Sequence, residues 1–162
     1  HEAAAVITFL SPGLRFFHQG QFTGRKKRIS PHLVRAPQEP IDFGLQKFYE
    51  KLLITLKNNI FRNGNWRLLE CVAAWEGNTS SDSFIAFGWE GIGGKRALIC
   101  VNYSSQYGQC YVRLPFPELS DKQWKLNDLL SEASYERQGN DLLARGLYLD
   151  IPGWSYHVFE II

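Results

Sequence analysis

Downstream of residue 64 the chain breaks into short apolar runs separated by turn-forming clusters, and this pattern limits the fold more than any other feature. The runs lie at 66–75, 83–89, 97–103, 109–116, 123–128, 142–151 and 156–161. Between them stand Glu76-Gly77-Asn78, Gly91-Ile92-Gly93-Gly94, Tyr107-Gly108, Gln138-Gly139-Asn140 and Pro152-Gly153. Glycine and asparagine supply the backbone conformations that reverse a chain, and proline pre-sets the first turn residue. Seven runs at this spacing predict an antiparallel β-sandwich of Greek-key-like type. No internal repeat or low-complexity tract is present.

The first 64 residues read differently. Residues 2–10 are good helix formers, halted by Ser11-Pro12-Gly13. The run Leu14-Arg15-Phe16-Phe17-His18 reads as one buried strand, and residues 19–39 as a long loop rich in Gly, Pro and basic residues. Loops beyond about 12–15 residues in compact domains are usually functional or mobile. An amphipathic helix follows over 40–61. Ile41, Leu45, Phe48, Tyr49, Leu52, Leu53 and Leu56 recur at three- and four-residue spacing, Pro40 occupies the first turn, and Asn63-Gly64-Asn65 stops it. A single strand with no evident partner suggests that it comes from a larger sheet. The chain is therefore expected to be mainly β with an N-terminal helical segment, divided into 1–64 and 65–162.

Composition narrows the function classes. Hydrophobic residues make up 44% and charged residues 21%, an ordinary globular balance that argues against disorder. A net charge of +2 is too small to argue for nucleic acid or a membrane surface. The basic run Arg25-Lys26-Lys27-Arg28 reads as a solvated loop. No apolar stretch approaches the roughly 18–20 residues of a membrane span. No secretory signal pattern appears. Cys71, Cys100 and Cys110 lie in apolar runs without metal-ligand spacing, which predicts reduced core thiols in a cytoplasmic protein; one disulfide with a leftover thiol is the alternative. Neither a metal site nor a cofactor is expected. The 162 residues contain no methionine, so the chain is expected to be a fragment, a processed product or an incomplete record.

The stretch Ser11-Pro12-Gly13-Leu14-Arg15-Phe16-Phe17-His18-Gln19-Gly20-Gln21 resembles the last barrel strand of the α-amylase family of glycoside hydrolases (family 13-like). The Ala-rich helix before it and the Phe48-Tyr49-Glu50-Lys51-Leu52-Leu53 helix after it resemble the last two barrel helices. Downstream, Ala97-Leu98-Ile99-Cys100-Val101-Asn102-Tyr103-Ser104, Leu147-Tyr148-Leu149-Asp150-Ile151-Pro152 and Val158-Phe159-Glu160-Ile161 resemble strands of that family's C-terminal sandwich. The resemblance covers essentially the whole chain in order. It implies a helix–strand–helix remnant of a (β/α)8 barrel joined to an accessory sandwich, from an enzyme that hydrolyses α-glucans or transfers their residues. Its partners would be the α-glucan and the missing barrel of the same enzyme.

A retaining glycosidase needs two carboxyl groups about 5–5.5 Å apart. In the family these come from earlier barrel strands, none of which this sequence contains. His1-Glu2 is not the family's His-Asp pair, because it adjoins the helix directly and carries Glu in place of Asp. The isolated chain is therefore expected to be inactive, with no catalytic residue. The resemblance puts His18, Gln19 and Gln21 beyond the C-terminal end of a barrel strand, the face where barrel enzymes bind substrate. There they either contact sugar hydroxyls or bond loop backbone and shape the barrel rim. Arg25 and Arg28 follow on the same loop.

Any of Trp66, Trp75, Trp89, Trp124 and Trp154 could stack on a pyranose, though tryptophan on a half-buried strand more often belongs to the core. His32 and His157 have no neighbouring pattern that suggests a metal site or triad. Ser104-Ser105 lacks the Gly-x-Ser-x-Gly elbow of serine hydrolases. Two other readings remain open: a free-standing carbohydrate-binding sandwich with a helical extension, and an interaction domain that self-associates through the apolar face of the 40–61 helix.

Overall fold

The structure, a computed structural model, describes residues 1–27, 30, 32, 35 and 37–162. Its N-terminal part holds helices α1 (Glu2–Leu10), α2 (Phe43–Thr55) and α3 (Ile60–Asn63). The strands are β1 (Asn65–Leu69), β2 (Cys71–Ala73), β3 (Phe84–Glu90), β4 (Arg96–Asn102), β5 (Gly108–Val112), β6 (Gln123–Asp128), β7 (Ser134–Gln138), β8 (Leu147–Ile151) and β9 (Tyr156–Ile161). Helix α4 (Gly139–Ala144) lies between β7 and β8.

All described strand pairs are antiparallel. They form a six-stranded sheet in the order β1-β3-β4-β9-β6-β7 and a three-stranded sheet in the order β2-β5-β8. The protein is thus mainly β, with a sandwich-like arrangement of antiparallel sheets and a few helices.

Two cores share the larger sheet. Between the sheets, Ala86, Leu98, Cys100 and Phe159 meet Cys110, Val112, Leu149 and Ile151. On the opposite face, Phe87, Trp89, Ile99, Val101 and Val158 pack against Ala3, Val6, Phe9 and Leu10 of α1 and Phe48, Tyr49 and Leu52 of α2. This explains the unbroken apolar run of β4. Its alternate side chains enter different cores, so every position is buried, as in a sheet covered on both faces. Each fully buried leucine such as Leu52 or Leu98 contributes roughly 1.5–3 kcal/mol. Helices α1, α2 and α3 accordingly form a third layer on the sheet and share its core.

Several elements differ from the sequence-based expectation. The 66–75 run splits at Glu70, sending β1 to one sheet and β2 to the other, and the Glu70 carbonyl accepts from the Arg113 N–H. The 142–151 run is the end of α4 followed by β8. There the close approach of Gly139 to the Leu119 carbonyl, 1.5 Å from where a Cβ would lie, seats α4 under the 117–119 turn. Strand β7 carried no apolar signal because all five of its residues are exposed. Helix α2 starts three residues after Pro40, where the Asp42 carboxylate accepts from the Leu45 N–H (3.0 Å) and caps it.

The buried strand expected over 14–18 is absent. Leu14 is 95% exposed and Phe16 75% exposed, and the segment pairs with no described strand. Arg15 pins it instead: its Nε donates to the Phe9 carbonyl (2.7 Å) and its Nη2 to the Phe61 carbonyl (2.5 Å). Phe17 turns inward and stacks on Phe9, ring centroids 4.1 Å apart.

Candidate functional site

The largest cleft described, about 660 Å³, opens where the start of α1, the 18–26 turn, the start of α2 and the β8–β9 turn converge. His1, Glu2, His18, Gln21, Arg25 and Trp154 are among its lining residues. Each is placed by local structure. Gly20, at φ +86°, turns the chain so that Gln21–Thr23 forms one 3₁₀ turn, and Thr23 hands on to the α2 cap through the Asp42 N–H. The Glu39 carboxylate closes the following loop by accepting from the Lys26 (3.0 Å) and Lys27 (3.2 Å) N–H groups.

Tyr49 lies under this cleft. It is buried among Phe9, Phe17, Phe22 and Phe48, and its hydroxyl accepts from Gln21 Nε2 (2.8 Å) and sits 2.9 Å from His1 Nε2. Burial raises its pKa, a bond from Gln21 opposes this, and the Glu2 charge adds to the rise, so the phenol stays neutral. Tyr156 does the same for Glu2: its hydroxyl donates to Glu2 Oε2 (2.5 Å), and burial with that bond pushes its pKa far up.

A second cleft of about 400 Å³ adjoins the first and shares Glu2 and Trp154. Its wall holds a pair that the sequence did not reveal: His157 Nδ1 lies 2.7 Å from Asp128 Oδ2. Asp128 Oδ1 accepts from the Leu130 N–H (2.9 Å). Burial acts to raise the Asp128 pKa, but the His157 bond, the Leu130 N–H, the His157 charge and Ser131 together bring it below the usual value. The partners are 29 residues apart in sequence and are brought together by the pairing of β6 with β9.

Of the residues singled out from sequence, His18 and Gln21 line the larger cleft together, joined by Arg25. Gln21 is engaged by Tyr49 and by the His18 N–H (3.2 Å). Gln19 is exposed outside the cleft lining, and its carbonyl faces His18 Nδ1 at 3.2 Å. Arg28 lies outside the described residues. His32 is exposed and its N–H donates to Ser30 Oγ.

The tryptophans divide. Trp89 is buried with its indole N–H donated to the Leu10 carbonyl (2.8 Å), and Trp124 donates to the Leu119 carbonyl (2.8 Å). Trp66, Trp75 and Trp154 are exposed. The three cysteines are free.

The two carboxylates of the larger cleft are both committed, Glu2 to Tyr156 and Asp42 to the α2 cap. Among the described residues no group of three or more His, Cys, Asp or Glu side chains is arranged to hold a metal ion, and no helix is long and apolar enough to cross a membrane. The lining presents hydrogen-bonding side chains and one exposed indole. Comparison with known proteins finds no family model and no curated relative that matches the chain.

Proposed function

We propose that this chain is the C-terminal portion of an α-amylase-type glycoside hydrolase or transglycosidase acting on α-glucans, and that it is itself non-catalytic. In this reading the helix–extended run–helix layer is a piece of barrel wall, and the Greek-key-like sandwich beneath it is an accessory domain that steadies the wall. The observation that carries the reading is the 14–18 segment. It exposes Leu14 and Phe16 and pairs with no described strand, as a barrel segment deprived of its neighbours would. His18, its last residue, and Gln21 beyond it line the larger cleft, and the resemblance puts these residues near substrate.

Fragment complementation tests the proposal. The chain is mixed with an α-amylase barrel truncated before its last strand, and starch hydrolysis is followed. Neither piece alone should act, and the mixture should. Hydrolysis by this chain alone, or a mixture that stays inactive although the two pieces bind, would overturn it.

A second reading, a carbohydrate-binding sandwich module, draws on the exposure of Trp75 and Trp154. Self-association through exposed apolar side chains, Phe43 and Ile54 of α2 among them, is compatible with either reading.

A further inference from the structure

Trp154 combines two features that rarely coincide. Its backbone sits at φ +59°, a region that bulky side chains avoid, and its side chain is 50% exposed. Backbone strain of this kind persists where the surroundings enforce it. Here they do so through buried Asn102, whose Nδ2 donates to the carbonyls of Gln106 (2.8 Å), Ile151 (3.2 Å) and Pro152 (3.1 Å) and so clamps two loops together. The Trp154 N–H donates to the Ser104 carbonyl (2.9 Å). Gly153 presses so closely on Ser105 that a Cβ would meet its backbone at 2.5 Å. The indole is thus held out from a rigid mount. Tyr103, 44% exposed, meets it edge-on with ring centroids 5.1 Å apart and planes at 85°.

An edge-to-face contact occupies at most one face of either ring, so flat aromatic surface stays open at the mouth of the larger cleft. The rest of the lining includes His18, Gln21 and Arg25, and its formal side-chain charges balance: Glu2 and Asp42 against Arg25 and Lys26. A charge-balanced, hydrogen-bonding lining that also holds a fixed aromatic plate suits a neutral polyol with one flat apolar face. A pyranose ring has that character, with axial C–H groups on its face and hydroxyls around its rim.

We propose that Trp154, supported by Tyr103, is a stacking platform for one pyranose of a neutral oligosaccharide whose hydroxyls reach His18, Gln21 and Arg25. The platform stands on this geometry alone. The choice of an α-linked glucan rests on the proposed function above.

Calorimetric titration of the whole chain with maltoheptaose and, separately, cellohexaose tests both points. Maltoheptaose should bind, and Trp154→Gly, which accepts the positive φ, should weaken binding about tenfold or more. Trp154→Asn should give the same loss on a second background that tolerates this backbone, whereas Trp154→Phe should keep most of the affinity. Binding of cellohexaose in place of maltoheptaose, still lost in Trp154→Gly, would uphold the platform and overturn the α-glucan assignment. No binding of either sugar, or wild-type affinity in both Trp154→Gly and Trp154→Asn, would overturn the platform.

Discussion

His157 and Asp128 meet at 2.7 Å between Nδ1 and Oδ2, with the Asp128 side chain 2% exposed and the imidazole stacked on Phe159 at 4.8 Å. The contact couples β9 to the end of β6 inside the sheet that carries both cores. It also makes the fold sensitive to acid.

The sign follows from linkage. Burial opposes ionisation of Asp128, but its hydrogen bonds and the His157 charge win, so the folded pKa lies below the ordinary 3.8. The stabilisation is fully present above that ordinary value and is lost as pH falls through the lower folded value. Asp128→Asn should flatten the stability profile in that acid window. Asp128→Ala should cost about 1–3 kcal/mol at neutral pH, by stranding the Leu130 N–H and its other donors. Urea denaturation at pH 3 and pH 7 checks both.

Trp89 ties the helical layer to the sheet through its bond to the Leu10 carbonyl. Because α1 and α2 share a core with β3, β4 and β9, the chain should unfold in one cooperative transition, and residues 65–162 expressed alone should expose Phe87, Ile99 and Val158 and lose fixed packing. Trp89→Phe should cost about 1–3 kcal/mol by leaving a buried carbonyl unpaired. Two separate calorimetric transitions would contradict the shared core.

How much of this was legible in the sequence depends on how each residue announces itself. Runs with apolar side chains on one or both faces, such as 97–103 and 156–161, marked their strands well. Strand β7 did not, because an exposed edge strand needs no apolar residue. The break at Glu70 and the α4 turn are decided by which sheet each segment joins, a tertiary matter that local pattern does not encode. At the cleft, His18 and Gln21 stood out because the first ends the 14–18 run and the second follows it. Glu2, Tyr49 and Trp154 come from distant parts of the chain and meet there only after folding. The two glycines before β4 signalled a turn, whereas nothing local marked Trp154 as a residue with positive φ.

The cysteines should differ in reactivity. Cys71 is only partly buried, and a bond from Cys110 lowers its pKa against the opposing effects of burial and Glu70, while burial pushes the Cys100 thiol well up. A thiol reagent at neutral pH should label one cysteine in the folded protein, and Cys71→Ser should abolish that labelling. Mass spectrometry with and without denaturant reads the count.

Gly139→Ala should be among the most damaging single changes, because its Cβ would fall 1.5 Å from the Leu119 carbonyl. Overpacking against rigid backbone costs about 1–3 kcal/mol or more. The chemical denaturation midpoint should shift accordingly, and an unchanged midpoint would contradict the seating of α4.

Exposed apolar side chains on the helical layer should drive weak self-association. Sedimentation velocity at rising concentration should show it, and Leu14→Lys combined with Phe16→Glu should reduce it without lowering stability, since both side chains project into solvent.

The most direct test of the central claim is calorimetric titration of the chain with maltoheptaose, followed by chromatography of the recovered sugar. The account predicts saturable binding and intact maltoheptaose. Shortened products would contradict the non-catalytic assignment, and no binding would contradict the glucan cleft.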